Sequence, residues 1–307
     1  MAAFGFGPTL GLRWRGGRRG FDFTGGMLSA GATLARSSDA TFVDAAGRVA
    51  IAASDVARFD HDPVSGGLRG LLIEGAASNA VARSTRIDSA PWSAGGVALA
   101  GALAPDGSDD AVMMTDAGAD YGLVGQDVVR DGPLTVSVHV AKDGVAPATR
   151  FVMLRLTPGG DLRIDTATGA VAGSEVTGSI DFGDFWRCWM TVPVGCLTLN
   201  IFPAVGQGLL TDGYSDAVTG SATLWGVQVE AGTAPSSLIV TGDGPGTRSA
   251  DVLTLDWGSR GLADGAAAIR YGFDDGSSVV ADITIAGGVA AVPTDLPRRH
   301  LAWAEPA

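Results

Sequence analysis

Alternating apolar and polar positions recur along the middle of the chain and predict β-strands. In the run PLTVSVHV at 133–140, Leu134, Val136 and Val138 share one parity. A period of two places such side chains on one face of an extended strand, whereas a helix needs a period near 3.6. Further apolar runs lie at 151–156, 161–165, 185–192, 196–202 and 222–230. The helical period is weak throughout, so the pattern predicts many short strands.

Turn-forming residues separate these runs and indicate how the strands connect. The runs are spaced roughly 8 to 20 residues apart, with Gly, Pro, Asp and Ser between them. Pro-Gly-Gly at 158–160 predicts a tight hairpin connection. Short strands joined in this way are typical of an antiparallel sandwich or jelly roll, because parallel βαβ units need helical crossovers. We therefore predict an all-β fold with an antiparallel jelly-roll β-sandwich at 86–245.

The two regions that flank the sandwich are expected to differ from it. Residues 1–85 contain short extended pieces, such as 41–43, and are predicted to form a docking arm and an extended β region. Residues 246–307 follow the glycine-rich linker 242–246 and are predicted to form a small β domain, with a hairpin turning at 274–277. Since two or three strands are marginal alone, this domain should pack on its neighbour or on other copies of itself.

The composition of the chain argues against several classes of partner and cofactor. The net charge is −12 over 307 residues, whereas a protein that binds nucleic acid generally needs a basic face. The histidines at 61, 139 and 300 lack the spacing of a zinc site. No glycine-rich stretch ends in the Lys-Ser or Lys-Thr pair of a phosphate-binding loop. The longest apolar stretch, 95–105, is too short to cross a bilayer. We expect no cofactor, no metal, no nucleic acid and no membrane insertion.

The sequence also lacks the signatures of a catalytic site. It contains no Gly-x-Ser-x-Gly motif, and nothing selects a glycosidase pair among its 33 acidic residues. Cys188 and Cys196 fall in successive runs that we expect to form a hairpin, in a register that keeps the two thiols apart. Both are therefore predicted to be buried and free. We expect no catalytic residue and predict that the protein is not an enzyme.

The run FWRCWMTV at 185–192 contains the best candidate for a binding site. The alternate positions that include Cys188 are apolar and should face the core. Arg187 and Trp189 then lie side by side on the opposite face of the strand. An indole beside a guanidinium can stack on a sugar ring and donate hydrogen bonds to its hydroxyls. We expect a weak site for a neutral sugar here, with Tyr214 as a nearby loop candidate. The alternative is that a loop or a neighbouring subunit covers Trp189.

A cationic segment precedes the first predicted strand. No acidic residue occurs before Asp22, and the arginines follow the apolar residues, which does not favour a signal peptide. Guanidinium groups and an indole suit a protein interface, so the segment is predicted to dock on an acidic surface of a partner. The alternatives are a tail without a partner and a contact with nucleic acid. The candidate docking residues are Arg13, Trp14, Arg15, Arg18 and Arg19.

Four stretches of the chain carry a resemblance to a known family. They are 34–81, which begins LARSSDATFVDAAGR, GDFWRCWMTV at 183–192, LWGVQVEAGTAPSSLIVT at 224–241, and the segment from TRSADVLTLDW at 247 onward. Together they resemble the spike and fibre proteins of bacteriophages and gene transfer agents. Trp189 departs from the pattern of this family, in which a small residue is usual at that position.

The resemblance implies a structural virion protein whose jelly roll is similar to a carbohydrate-binding module. It implies a capsid-vertex spike fibre on the surface of a gene transfer agent, assembled in the bacterial cytoplasm and attaching to host surface polysaccharide. Its other partners are then capsid or spike-base proteins and further copies of itself, with fivefold symmetry at a vertex or threefold symmetry in a free fibre. The alternatives are a tail-fibre or minor tail protein and a polysaccharide depolymerase.

Overall fold

Strands make up most of the regular structure in the computed structural model, which describes residues 20–118, 121–142, 151–173, 175–206 and 219–307. Within these ranges the strand pairs are antiparallel and there is no α-helix. Nor do the described residues contain a helix that is long and apolar enough to span a membrane. The predicted all-β, antiparallel sandwich class is therefore confirmed.

Seven short strands lie within residues 20–85. They are β1 (Phe21–Asp22), β2 (Ala32–Ala35), β3 (Ala40–Val43), β4 (Val49–Ala52), β5 (Phe59–His61), β6 (Leu68–Leu72) and β7 (Ala77–Asn79). Asp44 closes the turn between β3 and β4, because its Oδ1 accepts hydrogen bonds from the backbone N–H of Ala46 at 2.9 Å and of Arg48 at 3.0 Å. The extended piece predicted at 41–43 is part of β3.

Twelve further strands of the described residues form the sandwich. They are β8 (Ser93–Gly95), β9 (Val97–Ala102), β10 (Ala111–Asp116), β11 (Leu123–Arg130), β12 (Leu134–Ala141), β13 (Phe151–Thr157), β14 (Gly160–Asp165), β15 (Val171–Gly173), β16 (Val176–Phe182), β17 (Phe185–Val192), β18 (Cys196–Phe202) and β19 (Gly220–Ala231). The tight hairpin predicted at 158–160 joins β13 to β14.

The twelve strands divide into two six-stranded sheets with one hydrophobic core between them. Sheet I has the order β16-β17-β12-β19-β10-β9, and sheet II has the order β15-β14-β13-β18-β11-β8. Val136 and Val138 of sheet I lie in the same fully buried cluster as Leu154 and Ile201 of sheet II. The parity predicted for the run at 133–140 is therefore the one that faces the core.

The predicted hairpin between the two cysteine-containing runs is wrong. Strands β17 and β18 follow each other in the chain but lie in different sheets. Cys188 is paired with Val138 on one side and Ser179 on the other, whereas Cys196 is paired with Arg130 of sheet II. Both thiols are nevertheless buried and free, as predicted. Burial raises the pKa of Cys188 to about 12, which keeps its thiol protonated at neutral pH.

Six strands follow the sandwich and pair with the amino-terminal ones. They are β20 (Gly246–Arg248), β21 (Val252–Asp256), β22 (Gly265–Phe273), β23 (Ser278–Ile285), β24 (Val289–Ala291) and β25 (His300–Pro306). One sheet has the order β23-β22-β25-β6-β5, with β1 also paired to β25, and two smaller sheets join β2-β21-β24 and β7-β20. The hairpin predicted to turn at 274–277 connects β22 and β23.

These pairings change the domain organisation that the sequence suggested. Residues 1–85 and 246–307 were predicted as two separate regions, but their described strands, apart from the β3–β4 pair, share three sheets, and residues of both regions form one core. Phe21 contacts Trp257 edge to face at 4.9 Å between ring centroids, and both are fully buried beside Tyr271. We call strands β1–β7 and β20–β25 the terminal unit, because neither end of the chain can bury its apolar face without the other.

A buried network of charges joins the two halves of the terminal unit. The carboxylate of Asp251 pairs with Arg36 at 3.0 Å and also with Arg58. Glu74 in turn pairs with Arg58 at 2.9 Å and with Arg248 at 3.0 Å. Since burying a charge is costly unless it is paired, this network fixes 36–74 against 248–251.

The terminal unit also covers part of the outer face of sheet I. The segment 236–241, which follows β19, lies between them: Thr41 donates a hydrogen bond to the Leu238 carbonyl at 2.5 Å, and Ser237 donates one to Glu74 at 2.6 Å. His139, on the parity of β12 that faces away from the core, is consequently buried as well. The outer face of sheet I is therefore partly covered and not fully exposed to solvent.

Candidate functional site

An open groove lies where the outer face of sheet I meets the terminal unit. Its volume is about 490 Å³. Strand β17 contributes Arg187 and Trp189 to one wall, and the segment 296–300 contributes the opposite wall together with Asp274. Pro235, from the segment after β19, also lines it. The groove is thus built from parts of the chain that are far apart in sequence.

Trp189 is the aromatic side chain that faces this groove. It lies on the outer face of β17, as the alternation predicted, and it is half-buried. Its neighbour across the β16–β17 pair is Gly178, and a methyl group at that position would come within 2.6 Å of Cε2 of the indole. The indole therefore lies against the bare backbone at Gly178, and part of its remaining surface borders the groove.

Arg187 lies two residues before Trp189, but its environment differs from the exposed position that we expected. The side chain is only 6% exposed, because the terminal unit covers this part of sheet I. Its Nη2 donates a hydrogen bond to the Ser236 carbonyl at 2.5 Å, and its Nε has no partner among the described residues. Burial, with the nearby charge of Arg299, lowers the pKa of Arg187 to about 10, and three surrounding carboxylates oppose this shift.

The other cationic side chains of the groove are held by carboxylates. Arg69 pairs with Asp62 at 2.8 Å. Arg298 pairs with Asp274 at 2.9 Å, and Arg299 pairs with a carboxylate of the buried network at 3.1 Å. The sequence did not single out any of these arginines, because only the tertiary fold brings them to the groove.

A second, smaller cavity lies behind Arg187. Its volume is about 40 Å³, and it is lined by Arg187, Arg299, His139 and Asp60 among others. The imidazole of His139 lies beside the backbone of Trp225 and Gly226, but neither ring nitrogen makes a hydrogen bond of good geometry with a described residue. Burial and the charge of Arg187 hold the pKa of His139 well below its ordinary value, so its imidazole is neutral. A polar cavity of this size has room for water that hydrogen-bonds these groups.

Several residues singled out in the sequence lie outside the described part of the chain. Tyr214 falls in 207–218, so its distance from the groove is not described. The same holds for the docking residues in 1–19: Arg13, Trp14, Arg15, Arg18 and Arg19. Of the three binding residues predicted from the sequence, the structure therefore locates Arg187 and Trp189 in the groove.

The described lining of the groove contains one carboxylate, Asp274, and one histidine, His300. Asp274 is engaged by Arg298. A glycosidase needs two carboxylates across the scissile bond. In the part of the chain that the structure describes, no group of three His, Cys, Asp or Glu residues is placed to hold a metal ion.

Comparison of the chain with known protein families and with curated proteins found no match. The arguments about function therefore come from the groove and from the resemblance of the four sequence stretches. Chemically, the groove presents an aromatic face and a guanidinium in one open cleft. This combination suits a ligand that has both an apolar ring face and polar substituents, such as a saccharide.

Proposed function

We propose that the protein is a non-catalytic, saccharide-binding spike or fibre of a phage-like particle, most specifically a capsid-vertex spike of a gene transfer agent. The observation that carries the binding role is the indole of Trp189, which lies against Gly178 and faces the open groove beside Arg187. The particle role is supported by the sequence resemblance at 34–81, 183–192 and 224–241 and from 247 onward.

The expected affinity of one groove for a saccharide is low, so firm attachment would need several copies of the protein on one particle. Stacking of one sugar ring on an aromatic face contributes about 0.5–1.5 kcal/mol beyond burial. A hydrogen bond contributes about 1 kcal/mol. A single site would then bind near the millimolar range, which corresponds to about −4 kcal/mol. Attachment of a particle to host polysaccharide would arise from multivalency, with fivefold copies at a vertex or threefold copies in a fibre.

The binding role can be tested with surface polysaccharide from the bacterium whose genome encodes the chain. The purified protein should be retarded in gels that contain this polysaccharide, and Trp189→Ala should abolish the retardation. Trp303→Ala is the matched control, because the Trp303 indole likewise contacts a glycine on the neighbouring strand, Gly272, but is not among the described lining residues of the groove. Equal loss of binding in both variants would contradict the role of Trp189.

Two further observations separate the alternatives. Steady release of reducing ends from the polysaccharide would identify a depolymerase and contradict the non-catalytic role. Antibody labelling of intact particles would distinguish a capsid-vertex position from a tail fibre. Sedimentation of the protein only as a species of about 31 kDa, with and without its particle partner, would contradict the oligomer.

A further inference from the structure

Arg187 is a buried cation whose hydrogen-bonding capacity is largely unused. A guanidinium carries five N–H donors, and buried donors almost always find acceptors in native proteins. Arg187 is 6% exposed, yet the hydrogen bond found among the described residues is the one from Nη2 to the Ser236 carbonyl. Its Nε is buried without a partner among them. Such a group is costly unless something in the groove or the adjoining cavity accepts its hydrogen bonds.

Arg187 also lacks a counter-ion, unlike the other cations of the groove. Among the described lining residues, Arg69, Arg298 and Arg299 each have a carboxylate oxygen within 4.0 Å, and Arg187 has none. The positive charge of Arg299 is close enough to oppose that of Arg187. The groove therefore contains one guanidinium that no described carboxylate neutralises directly.

The three carboxylates whose charges act on Arg187 are all engaged elsewhere. Glu230 accepts hydrogen bonds from the backbone N–H of Ser236 at 2.9 Å and from its hydroxyl at 2.6 Å. Glu74 belongs to the buried network described above. Asp60 accepts from the backbone of Val43 at 2.6 Å and contacts His300 at 2.7 Å. None of them can turn to Arg187 without leaving another buried donor unpaired.

We propose that the groove binds a carboxylate-bearing sugar, a uronic acid residue of an acidic polysaccharide, with its carboxylate on Arg187 and its ring on Trp189. This inference rests on the proposed saccharide-binding function and names its ligand class, in place of the neutral sugar predicted from the sequence. Residues two apart on one strand face are separated by about 6.6 Å, which suits a ring and its own exocyclic carboxylate. A guanidinium fork is the side chain best matched to a carboxylate.

The size and shape of the groove favour a sugar over a small inorganic anion. Its volume of about 490 Å³ far exceeds what one anion fills, and the indole of Trp189 offers an apolar face that such an anion would not use. A uronic acid residue uses both features, because its ring stacks while its carboxylate supplies the missing counter-ion.

Chemical removal of the carboxylates tests this inference directly. The bacterial polysaccharide used above would be compared before and after reduction of its uronic acids to neutral hexoses. Oligomers of polygalacturonate and alginate would be compared with their methyl esters in the same titration. We expect the acidic form of at least one of these glycans to bind about tenfold or more tightly than its neutral counterpart.

Substitutions then assign the preference to Arg187. Arg187→Met keeps an unbranched apolar stem but removes the charge, and should bring the ratio of acidic to neutral affinity close to one. Arg187→Lys should keep part of the ratio, since it retains the charge without the fork. Arg270→Met is the control for net charge, because Arg270 is exposed on β22 and is not among the described lining residues of the groove. If Arg187→Met does not fold, the wild-type ratio and Arg187→Lys still decide the question.

Each outcome distinguishes the inference from the function on which it rests. If acidic and neutral forms bind equally and Trp189→Ala loses both, the acidic ligand is wrong and saccharide binding stands. If no polysaccharide binds, both are wrong. If the acidic preference persists in Arg187→Met, another cation holds the carboxylate and the assignment to Arg187 is wrong.

Discussion

Replacing Gly178 with alanine is expected to weaken saccharide binding while the sandwich stays folded. Gly178 lies on edge strand β16 directly opposite Trp189, and its backbone conformation is one that alanine also adopts. The added methyl group would come within 2.6 Å of Cε2 of the indole. The indole is half-buried and borders an open groove, so it is the group that has space to move.

The size of the effect follows from the distance that the indole must travel. An ordinary contact begins near 3.4 Å, and Cζ2 of the indole lies closer to the added methyl group than Cε2 does, so Trp189 must move by more than about 0.8 Å. The indole is thereby displaced from the position in which it stacks, and a misfit of about 0.5–1 Å already removes a quarter to a half of a dispersion contact. Loss of up to the whole stacking term, about 0.5–1.5 kcal/mol, would reduce affinity by up to about twofold to twelvefold. Alanine is favoured over glycine within a strand by about 0.5–1 kcal/mol, which offsets strain in the fold.

Fluorine NMR of protein labelled with 5-fluorotryptophan would follow the indole and the affinity together. The resonance of Trp189 is assigned by its loss in Trp189→Phe, and it should shift in Gly178→Ala. Gly95→Ala is the matched control, because Gly95 lies on strand β8 and nothing lies within 4 Å of the added methyl group. That control should change neither the resonance nor the binding.

Two results would refute this reasoning. A shifted Trp189 resonance with wild-type affinity would mean that the indole is not the stacking surface. An unchanged resonance would mean that Trp189 does not lie against Gly178 as described.

Three further predictions concern the charges of the chain. Asp251→Asn should lower the free energy of unfolding by about 3–5 kcal/mol in urea titrations, since it breaks two buried ion pairs, whereas the exposed Asp39→Asn should change it little. Burial disfavours the ionised form of Glu74, but three arginines outweigh burial and hold its pKa far below 4.5. The stabilisation that Glu74 gives the folded protein should therefore be present above pH 4.5 and be lost as the pH falls below it. Glu74→Gln should reduce this dependence of the free energy of unfolding on pH. Deleting residues 1–20 should leave a folded protein that no longer enters particles, and normal incorporation would show that the segment is not a docking arm.

The elements that could be predicted from the sequence are those with a local signal, either an alternation of apolar and polar residues or a group of turn-forming residues. Strand β12 and the hairpin turning at 274–277 were found because alternation and turn residues are local signals. Strand β25 was not predicted, although it pairs with three other strands in the largest sheet of the terminal unit. Its partner β6 lies more than 200 residues earlier, and nothing local encodes such a pairing. The same limit explains why the terminal unit was predicted as two regions.

The candidate site was predicted in part for a related reason. Alternation placed Arg187 and Trp189 on the outer face of β17 but carried no information about what covers that face. The structure shows that the terminal unit and the segment 236–241 together bury Arg187 and leave Trp189 half-buried. The covering segments come from 236–241 and from 296–300, which the strand pattern did not link to β17.

The burial of Arg187 also affects how an acidic polysaccharide would be recognised by an acidic protein. The chain carries a net charge of −12, so its long-range field repels a polyanion. That repulsion acts through solvent and is screened beyond about 8 Å at physiological ionic strength. A contact with a guanidinium that is 6% exposed is screened much less. Salt therefore weakens the repulsion more than the attraction, and binding of an acidic sugar should hold or improve from low to physiological salt. A site built from exposed arginines would lose affinity over the same range.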